Sequence, residues 1–257
     1  MENIKILDYE LFYDVVKALS KVSNGAKFSL NECGLTVYAK NDYSKTELTS
    51  NSVSTNNPIE FCIGDLTMFL KILTTIKDLY KGDYSNVSID FDSPFIKIKS
   101  GKFKTKIGTV EEEKIALSIG TKVHTELTEL ITFTTSSTLI KNINAHSFIF
   151  PDSNSARIYV TTENDMQNNT IFATIGNESN DLANSVTMEL GLVNSGSLED
   201  KKTILNFERL NILNIIPSDE IKIMIARERP VMISKITRSG KNNSFFNLNV
   251  YSFMMVR

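Results

Sequence analysis

A chain of 257 residues with 41% hydrophobic content is long enough to bury one large core or two medium ones without disulfides or metals. Its formal net charge of −2 is not that of a nucleic-acid binder, so any contact with DNA must come from local segregation of charge. Residues 1–7 lack the pattern of a signal peptide, and no apolar run could span a bilayer. We therefore expect a cytoplasmic protein without membrane contact.

Two cysteines, Cys33 and Cys62, have neither CxxC spacing nor a nearby histidine cluster. Because free cysteine is among the most often buried residue types, both are predicted to be small buried hydrophobic residues. We expect no metal and no cofactor.

The first half of the sequence predicts a helix, strands, a second helix and a pair of strands. Strand patterns occur at 34–39, 46–50 and 59–63. Residues 65–73 then place apolar side chains at 66, 69, 70 and 73, on one helical face. Alternation at 87–91, a turn at 92–94 and a strand at 95–98 follow. The apolar stripe of the opening helix consists of Leu11, Phe12, Val15, Val16, Leu19 and Val22.

The second half repeats this order. Leu139, Ile140 and Ile143 mark a short helix for which Ser136 or Ser137 is the expected N-cap. Strands are predicted at 157–160 and 170–175, a helix at 207–213 after residues 204–205, and strands at 221–225 and 230–233. The matched positions of the repeat are Leu66, Phe69 and Ile72 with Phe207, Leu210 and Leu213, and Val87, Ile89 and Pro94 with Ile223, Ile225 and Pro230.

This duplication predicts two similar α+β domains, each with two helices packed on one face of an antiparallel sheet. Residues 111–114 are charged, and the following stretch to about residue 125 is polar with little helical pattern. We therefore expect an N-terminal domain at 1–112, a connector at 113–126 and a C-terminal domain at 127–257.

A helix-strand-strand unit that occurs twice in each half resembles the DNA sliding clamps. Residues 59–73 are similar to the second helix of the clamps of tailed bacteriophages and of proliferating cell nuclear antigen. Residues 229–233 are similar to the strand start, a proline followed by apolar residues, in the last quarter of those clamps. The resemblance covers nearly the whole chain in order and spacing.

The resemblance implies the DNA clamp fold and a DNA polymerase processivity factor without enzymatic activity. Such a protein forms a ring homo-oligomer around double-stranded DNA independently of its sequence. By family analogy the ring is a trimer, although the residues alone leave a dimer open. The implied partners are a DNA polymerase, other DNA-processing proteins and a clamp loader. A bacteriophage protein of this kind would act in the host cytoplasm.

By this resemblance, basic residues on four helices line the pore and attract phosphate groups loosely. Asp14, Asp78 and Glu208 reduce the positive charge of these helices, and for any one lysine the alternative is an ordinary solvated helix face. The implied DNA-binding residues are Lys17, Lys21, Lys71, Lys77, Lys81, Lys141, His146 and Arg209.

Two protein-binding regions are also implied. Clamps hold a short client peptide in an apolar pocket, which here would be lined by Tyr43, Pro230, Val231, Val250, Tyr251 and Phe253, although core packing explains the last strand equally well. Edge strands of neighbouring subunits would pair through Phe103, Lys104, Thr105, Lys106 and Ile107 and, as the partner edge, Thr170, Ile171, Phe172, Ala173 and Thr174.

Lysines at 97, 99, 102, 104 and 106 alternate with apolar residues and so share one face of a strand pair. This run is typical either of a DNA-binding patch or of lysines that guard an exposed or edge strand. We favour the guard, because alternating lysine is common on such strands.

The sequence carries no convergent set of acid, base and nucleophile. His124 and His146 are isolated, and Asp90 and Asp92 flank the turn before Pro94, where aspartate is favoured by turn chemistry. No glycine-rich phosphate loop occurs. We therefore expect no enzyme, and the main alternative to a clamp is a β-rich structural or assembly protein of a virion.

Overall fold

The computed structural model describes residues 1–40, 44–115, 129–147, 157–165, 168–176, 185–196, 203–206, 220–226 and 231–253. By its internal contacts the chain divides into two units. The first contains Met1–Thr121 and Thr237–Asn249, and the second contains Lys122–Ile236 and Val250–Arg257. The first unit thus includes a segment from the far end of the sequence, which the sequence pattern did not predict.

The first unit contains two helices and two antiparallel sheets. One sheet has the order β5-β1-β7-β8-β9, and the other runs β4-β3-β2-β6 and is extended beyond β4 by the first residues of β17. The elements are β1 (Glu2–Ile6), α1 (Tyr9–Val22), β2 (Ala26–Asn31), β3 (Gly34–Lys40), β4 (Ser44–Ser50), β5 (Val53–Ser54), β6 (Ile59–Ile63), α2 (Leu66–Tyr80), β7 (Val87–Asp92), β8 (Phe95–Ser100), β9 (Phe103–Gly108), a 3-10 turn (Glu112–Ile115) and, from the end of the chain, β17 (Phe245–Phe253).

The helices α1 and α2 begin at aspartate caps and pack on each other through their apolar faces. The carboxylate of Asp8 accepts from the backbone N–H of Leu11 at 3.0 Å, and that of Asp65 accepts from Met68 at 2.8 Å. Between the helices, the rings of Phe12 and Phe69 meet edge to face with centroids 6.1 Å apart. Each such buried side chain stabilises the unit by about 1.5–3 kcal/mol relative to exposure.

The second unit packs one described helix with an antiparallel sheet of order β14-β11-β12-β13-β10-β15-β16. Ser136 caps the helix, since its hydroxyl accepts from the backbone N–H of Leu139 at 3.2 Å. The α+β class predicted from the sequence is confirmed, while the predicted helix at 207–213 lies outside the described residues. The elements are β10 (Glu129–Thr135), α3 (Ser137–Ser147), β11 (Arg157–Asp165), β12 (Asn168–Gly176), β13 (Ser185–Gly196), β14 (Thr203–Asn206), β15 (Ile221–Ala226) and β16 (Val231–Ser239).

Strand β13 changes partner along its length. Its residues from Ser185 to Leu192 pair with β12, and those from Leu192 to Gly196 pair with β10. At the change stands Gly191, where a Cβ atom would lie 2.0 Å from the backbone oxygen of Thr134. Glycine is therefore required for the close approach of the two backbones.

The two cysteines differ in exposure. Cys62 is buried as predicted, and burial raises the pKa of its thiol. The prediction for Cys33 was wrong, because this residue is exposed in the turn between β2 and β3, where its N–H donates to the side chain of Asn31 at 2.8 Å. Among the described helices, none is long and apolar enough to cross a membrane.

Candidate nucleic-acid interface

Lysines of α1 and α2 lie on the helix sides that do not enter the core. Lys21 and Lys71 are exposed, and Lys17 and Lys77 are half-buried. Lys81 is exposed and caps α2 in a left-handed conformation with φ of 43°. These long side chains can place their ammonium groups in water while their stems cover apolar surface.

One aromatic contact joins the solvent sides of α1 and α2. The ammonium group of Lys77 lies 4.4 Å from the centroid of the Tyr13 ring. In the buried contact between α1 and α2, the hydroxyl of Tyr9 donates to the backbone oxygen of Leu73 at 2.8 Å. The two helices therefore present their polar sides as one surface, which we call the helix face (the solvent-accessible side chains of α1 and α2 with Lys81).

An acid on the helix face is neutralised by a residue distant in sequence. Asp14 forms an ion pair with Arg238, and their side chains are 17% and 34% exposed. Burial raises the pKa of Asp14, and the nearby charges of Arg238, Lys77 and Lys17 oppose this rise without overcoming it. Arg238 was not among the predicted site residues, because no local pattern signals an ion pair across 224 positions.

The helix face is more positive than the chain as a whole. It carries five lysines against three acids, Glu10, Asp14 and Asp78. The exposed N-cap of α2, Asp65, adds a fourth acid, and Arg238 adds a further positive charge beside Asp14. The whole chain has a net charge of −2. Positive charge is thus concentrated on the helices. A chain with a negative net charge needs such a concentration in order to contact phosphate groups.

The third described helix contributes fewer charges. Lys141 is exposed on α3, and Nδ1 of half-buried His146 lies 2.7 Å from the backbone oxygen of Asn142. This contact engages one ring nitrogen of the histidine within its own helix. Arg209, the predicted DNA-binding residue of the fourth helix, lies outside the described residues.

The first predicted subunit contact lies on an edge strand. Strand β9 is the last strand of its sheet and pairs with β8, so its other side has no strand partner within the described part of the chain. Ile107 is buried, Phe103 and Thr105 are half-buried, and Lys104 and Lys106 are exposed. An open strand side of this kind can pair with another chain.

The expectation that the partner edge is the segment from Thr170 to Thr174 needs correction. This segment lies in β12, which pairs with β11 on one side and β13 on the other. Ile171, Ala173 and Thr174 are buried, and Thr170 and Phe172 are half-buried. The open side belongs instead to β13 from Ser185 to Leu190, which within the described residues has a strand partner on one side only. Its alternation of polar and apolar residues could have identified this strand from the sequence.

The predicted client pocket is only partly described. Tyr43 and Pro230 lie outside the described residues, while Val231 and Phe253 lie within β16 and β17. Val250 is fully buried, whereas Tyr251 is half-buried. Since neighbouring residues of a strand point to opposite faces, Val250 cannot line the same surface as Tyr251, and its inclusion in the pocket was wrong.

The acids of the Asp-x-Asp pair have structural partners. Asp90 accepts from the amide of Asn3 at 3.1 Å and pairs with Lys99 at 3.5 Å, and Asp92 pairs with Lys97. His124 lies outside the described residues. Within the described residues, no group of three or more histidine, cysteine, aspartate or glutamate side chains could hold a metal ion.

Comparison with known proteins gives no matching family model and no match among curated proteins. Solved structures match over the full length. Proliferating cell nuclear antigen (PCNA) from Entamoeba histolytica is 15% identical, with a TM-score of 0.68 and 99% of each chain covered. PCNA from A. fulgidus, whose structure was determined bound to the C-terminal region of FEN-1, is 14% identical with a TM-score of 0.72 and covers 100% of this chain and 99% of its own.

A third match is PCNA from Thermococcus kodakaraensis, at 14% identity and a TM-score of 0.67, with 99% of each chain covered. At these identities the likeness establishes the fold, and it does so from one end of the chain to the other. The resemblance inferred from the sequence is confirmed at this level: the chain has the sliding-clamp fold of proliferating cell nuclear antigen.

Proposed function

We propose that this chain is a DNA polymerase processivity factor: a sliding clamp that encircles duplex DNA and tethers the polymerase and other DNA-processing proteins to it. Because one fold can serve many functions, the fold alone does not carry this proposal. The observation that carries it is the excess of lysines on the helix face of a chain whose net charge is −2. Loose phosphate attraction of this kind lets a protein follow DNA without reading bases.

Ring closure is proposed to join the open side of β9 in one subunit to the open side of β13 in the next. The first edge carries Lys104 and Lys106, and the second carries Glu189 among exposed Ser185 and Thr187. Opposite charges across the new ladder would favour the pairing and fix its register. Two units per chain favour a trimer by analogy with the clamps, and a clamp loader would open the ring.

Client proteins are proposed to bind as short peptides, as the C-terminal region of FEN-1 binds A. fulgidus PCNA. Of the predicted pocket residues, Tyr43, Pro230, Val231, Tyr251 and Phe253 remain candidates. No catalytic step is proposed. The protein would act only by encircling DNA and by tethering other proteins to it.

The test removes charge from the helices and compares retention on circular and linear DNA. Lys17, Lys21, Lys71 and Lys141 are replaced together by glutamine. The control variant, K40Q/K45Q/K222Q/K235Q, removes the same number of charges from two lysine pairs on other strands, Lys40 opposite Lys45 and Lys222 opposite Lys235. We expect weaker loading and weaker clamp-dependent synthesis for the helix variant only, with native mass and circular dichroism unchanged.

Equal synthesis by the helix variant and the control variant at moderate salt would remove these lysines from the DNA path. A native protein that assembles into large shells and is retained equally on circular and linear DNA would favour the structural protein of a virion instead.

A further inference from the structure

Four lysines form a compact group on the solvent face of the five-stranded sheet. Lys97 on β8 stands directly opposite Lys106 on β9, and Lys99 stands opposite Lys104. Side chains directly opposite one another on such a pair lie about 5 Å apart, and residues two apart along a strand lie about 7 Å apart. We call these four residues the lysine quartet. The intervening residues Ile96, Ile98 and Ile107 are buried, which places the quartet on the opposite face.

Direct ion pairs with acids involve only the β8 row of the quartet, although, after Lys97, the charge of Lys106 also helps to lower the pKa of Asp92. On the β7 side, Asp92 pairs with Lys97 and Asp90 pairs with Lys99 at 3.5 Å. The β9 row has no ion pair with an acid in the described part of the chain. Lys106 covers the ring of Phe95, with its ammonium group 3.2 Å from the ring centroid, and exposed Lys104 has no such contact. The outer row of the quartet therefore keeps its charge available to an anion.

Protection of an edge strand explains only half of this arrangement. Strand β8 pairs on both sides, with β7 and with β9, so Lys97 and Lys99 guard no edge. On β9, lysine is itself a common guard of an open edge. An acid opposite Lys97 or Lys99 would be attracted to it, whereas a lysine there is repelled and weakens the sheet. Edge protection and closure against Glu189 account for lysine on β9, but they do not account for its alignment with Lys97 and Lys99 on the interior strand β8, which makes the quartet one cluster of positive charge.

The surroundings of the quartet favour phosphate groups over an acidic protein segment. Protein partners are normally anchored by a few apolar, aromatic or arginine side chains in well-packed pockets. On this face, the exposed or half-buried residues of β7, β8 and β9 are the quartet, Ser88, Asp92, Phe95 and Gly108, and Phe95 is already covered by Lys106. Arginine's planar fork gives directed recognition of carboxylate and phosphate alike, whereas lysine ammonium groups act as point charges that suit loose contact with a phosphate backbone. Because Phe95 is covered, β7, β8 and β9 offer no free aromatic side chain on this face as a stacking platform for single strands.

We propose that the lysine quartet is a second nucleic-acid contact surface, separate from the helix face, that binds the phosphate backbone of a DNA duplex without reading its sequence. Its location on the sheet rather than on the helices means that it would hold DNA that does not pass through a ring.

The test uses a short fluorescent duplex with streptavidin bound at both ends, which cannot thread a closed ring. Its binding to the full-length protein is measured at a series of salt concentrations. We expect the variant K97Q/K99Q/K104Q/K106Q to bind more weakly at low salt. The slope of log Kobs against log salt should become shallower by about 2–4, since each lost phosphate contact removes about 0.9. The control variant K40Q/K45Q/K222Q/K235Q should retain the wild-type slope, and arginine at the four quartet positions should restore binding.

Equal slopes for the quartet variant and the control variant would overturn the proposal. It would also be overturned if a polyglutamate peptide bound the wild type and not the quartet variant while duplex binding stayed the same. Hydrogen exchange of the β7, β8 and β9 amides shows whether the sheet is intact in each variant.

A capped duplex cannot enter a ring, so its binding does not require the encirclement that retention on circular DNA tests. Because Lys104 and Lys106 also lie on the proposed closing edge, the double variant K97Q/K99Q, which leaves that edge unchanged, separates the two proposals. Its slope should become shallower by about 1–2, and an unchanged slope would overturn the proposal for the quartet.

Discussion

Replacing Asp8 by alanine tests how the first unit holds its distant segment. Asp8 is 7% exposed, and its carboxylate accepts three hydrogen bonds. One comes from the backbone N–H of Leu11 at 3.0 Å and caps α1, and two come from the Thr237–Asn249 segment, from the N–H of Lys241 and the hydroxyl of Ser244, each at 2.7 Å. A single side chain thus joins the start of α1 to a turn more than 230 residues away in sequence.

The expected loss follows from these three bonds. Removal of an N-cap costs about 1 kcal/mol, and each hydrogen bond to a buried charged acceptor contributes about 1.5–3 kcal/mol. The terms are not additive, because the hydroxyl of Ser244 can still donate to the backbone oxygen of Lys241. We expect D8A to lower the free energy of unfolding by about 3 kcal/mol. The control is D65A, which removes the exposed N-cap of α2 with its single bond to Met68 and should cost about 1 kcal/mol.

The effect should depend on pH. Burial acts to raise the pKa of Asp8, but hydrogen bonds from Leu11, Ser244 and Lys241 outweigh it, so the pKa lies below its ordinary value. A group whose folded pKa is lowered contributes stability that is fully present above its unfolded pKa of about 4. That contribution is lost as the pH falls through the lower folded pKa, so the difference between wild type and D8A should shrink below about pH 4.

The assay is urea unfolding followed by circular dichroism at one fixed protein concentration, since assembly would make stability depend on concentration. Hydrogen exchange of residues 237–249 provides a local readout. If D8A costs no more than D65A, or if the 237–249 amides keep their protection, Asp8 does not anchor this segment.

Two further substitutions test the second unit and the helix face. G191A should destabilise the second unit by about 2 kcal/mol or more in thermal unfolding, because the new Cβ atom would lie 2.0 Å from the backbone oxygen of Thr134. The control G108A should be nearly neutral, because a Cβ atom there would have nothing within 4 Å. R238A leaves a mostly buried Asp14 unpaired and should cost about 1–2 kcal/mol in urea unfolding. The double variant with D14N should recover most of that loss, and no recovery would show that the ion pair is not the cause.

Local patterns predicted the elements well where one face of a helix or strand is buried. The stripe from Leu11 to Val22 became α1, and the alternation at 87–91 became β7. Capping chemistry limited the start of α3 to Ser136 or Ser137, and Ser136 is the cap in the structure. Each of these features depends on residues within a few positions of one another, which is the information that a sequence displays directly.

Pairing partners could not be predicted in the same way. The alternation of β12 indicates a strand, but it does not show whether one side or both sides pair, and β12 proved to be interior. The change of partner along β13 depends on a backbone approach at Gly191 that only the folded chain reveals. The burial of Cys33 was predicted wrongly, because the prediction used the residue type and not the turn from Asn31 to Gly34 that contains this residue.

For the candidate DNA-binding surface too, local features could be predicted from the sequence and long-range contacts could not. Helical periodicity predicted that Lys17, Lys21 and Lys71 avoid the core, and these lysines do lie outside it. The neutralisation of Asp14 by Arg238 required the fold, because the two residues are 224 positions apart. Which lysines contact DNA remains a prediction.

The most direct test of the clamp proposal is the retention of loaded protein on circular DNA before and after the circle is linearised, with its native mass measured over a dilution series. The proposal predicts a closed oligomer that stays on circles and slides off linear ends. A protein that remains monomeric, or that is retained equally on circular and linear DNA, would contradict it.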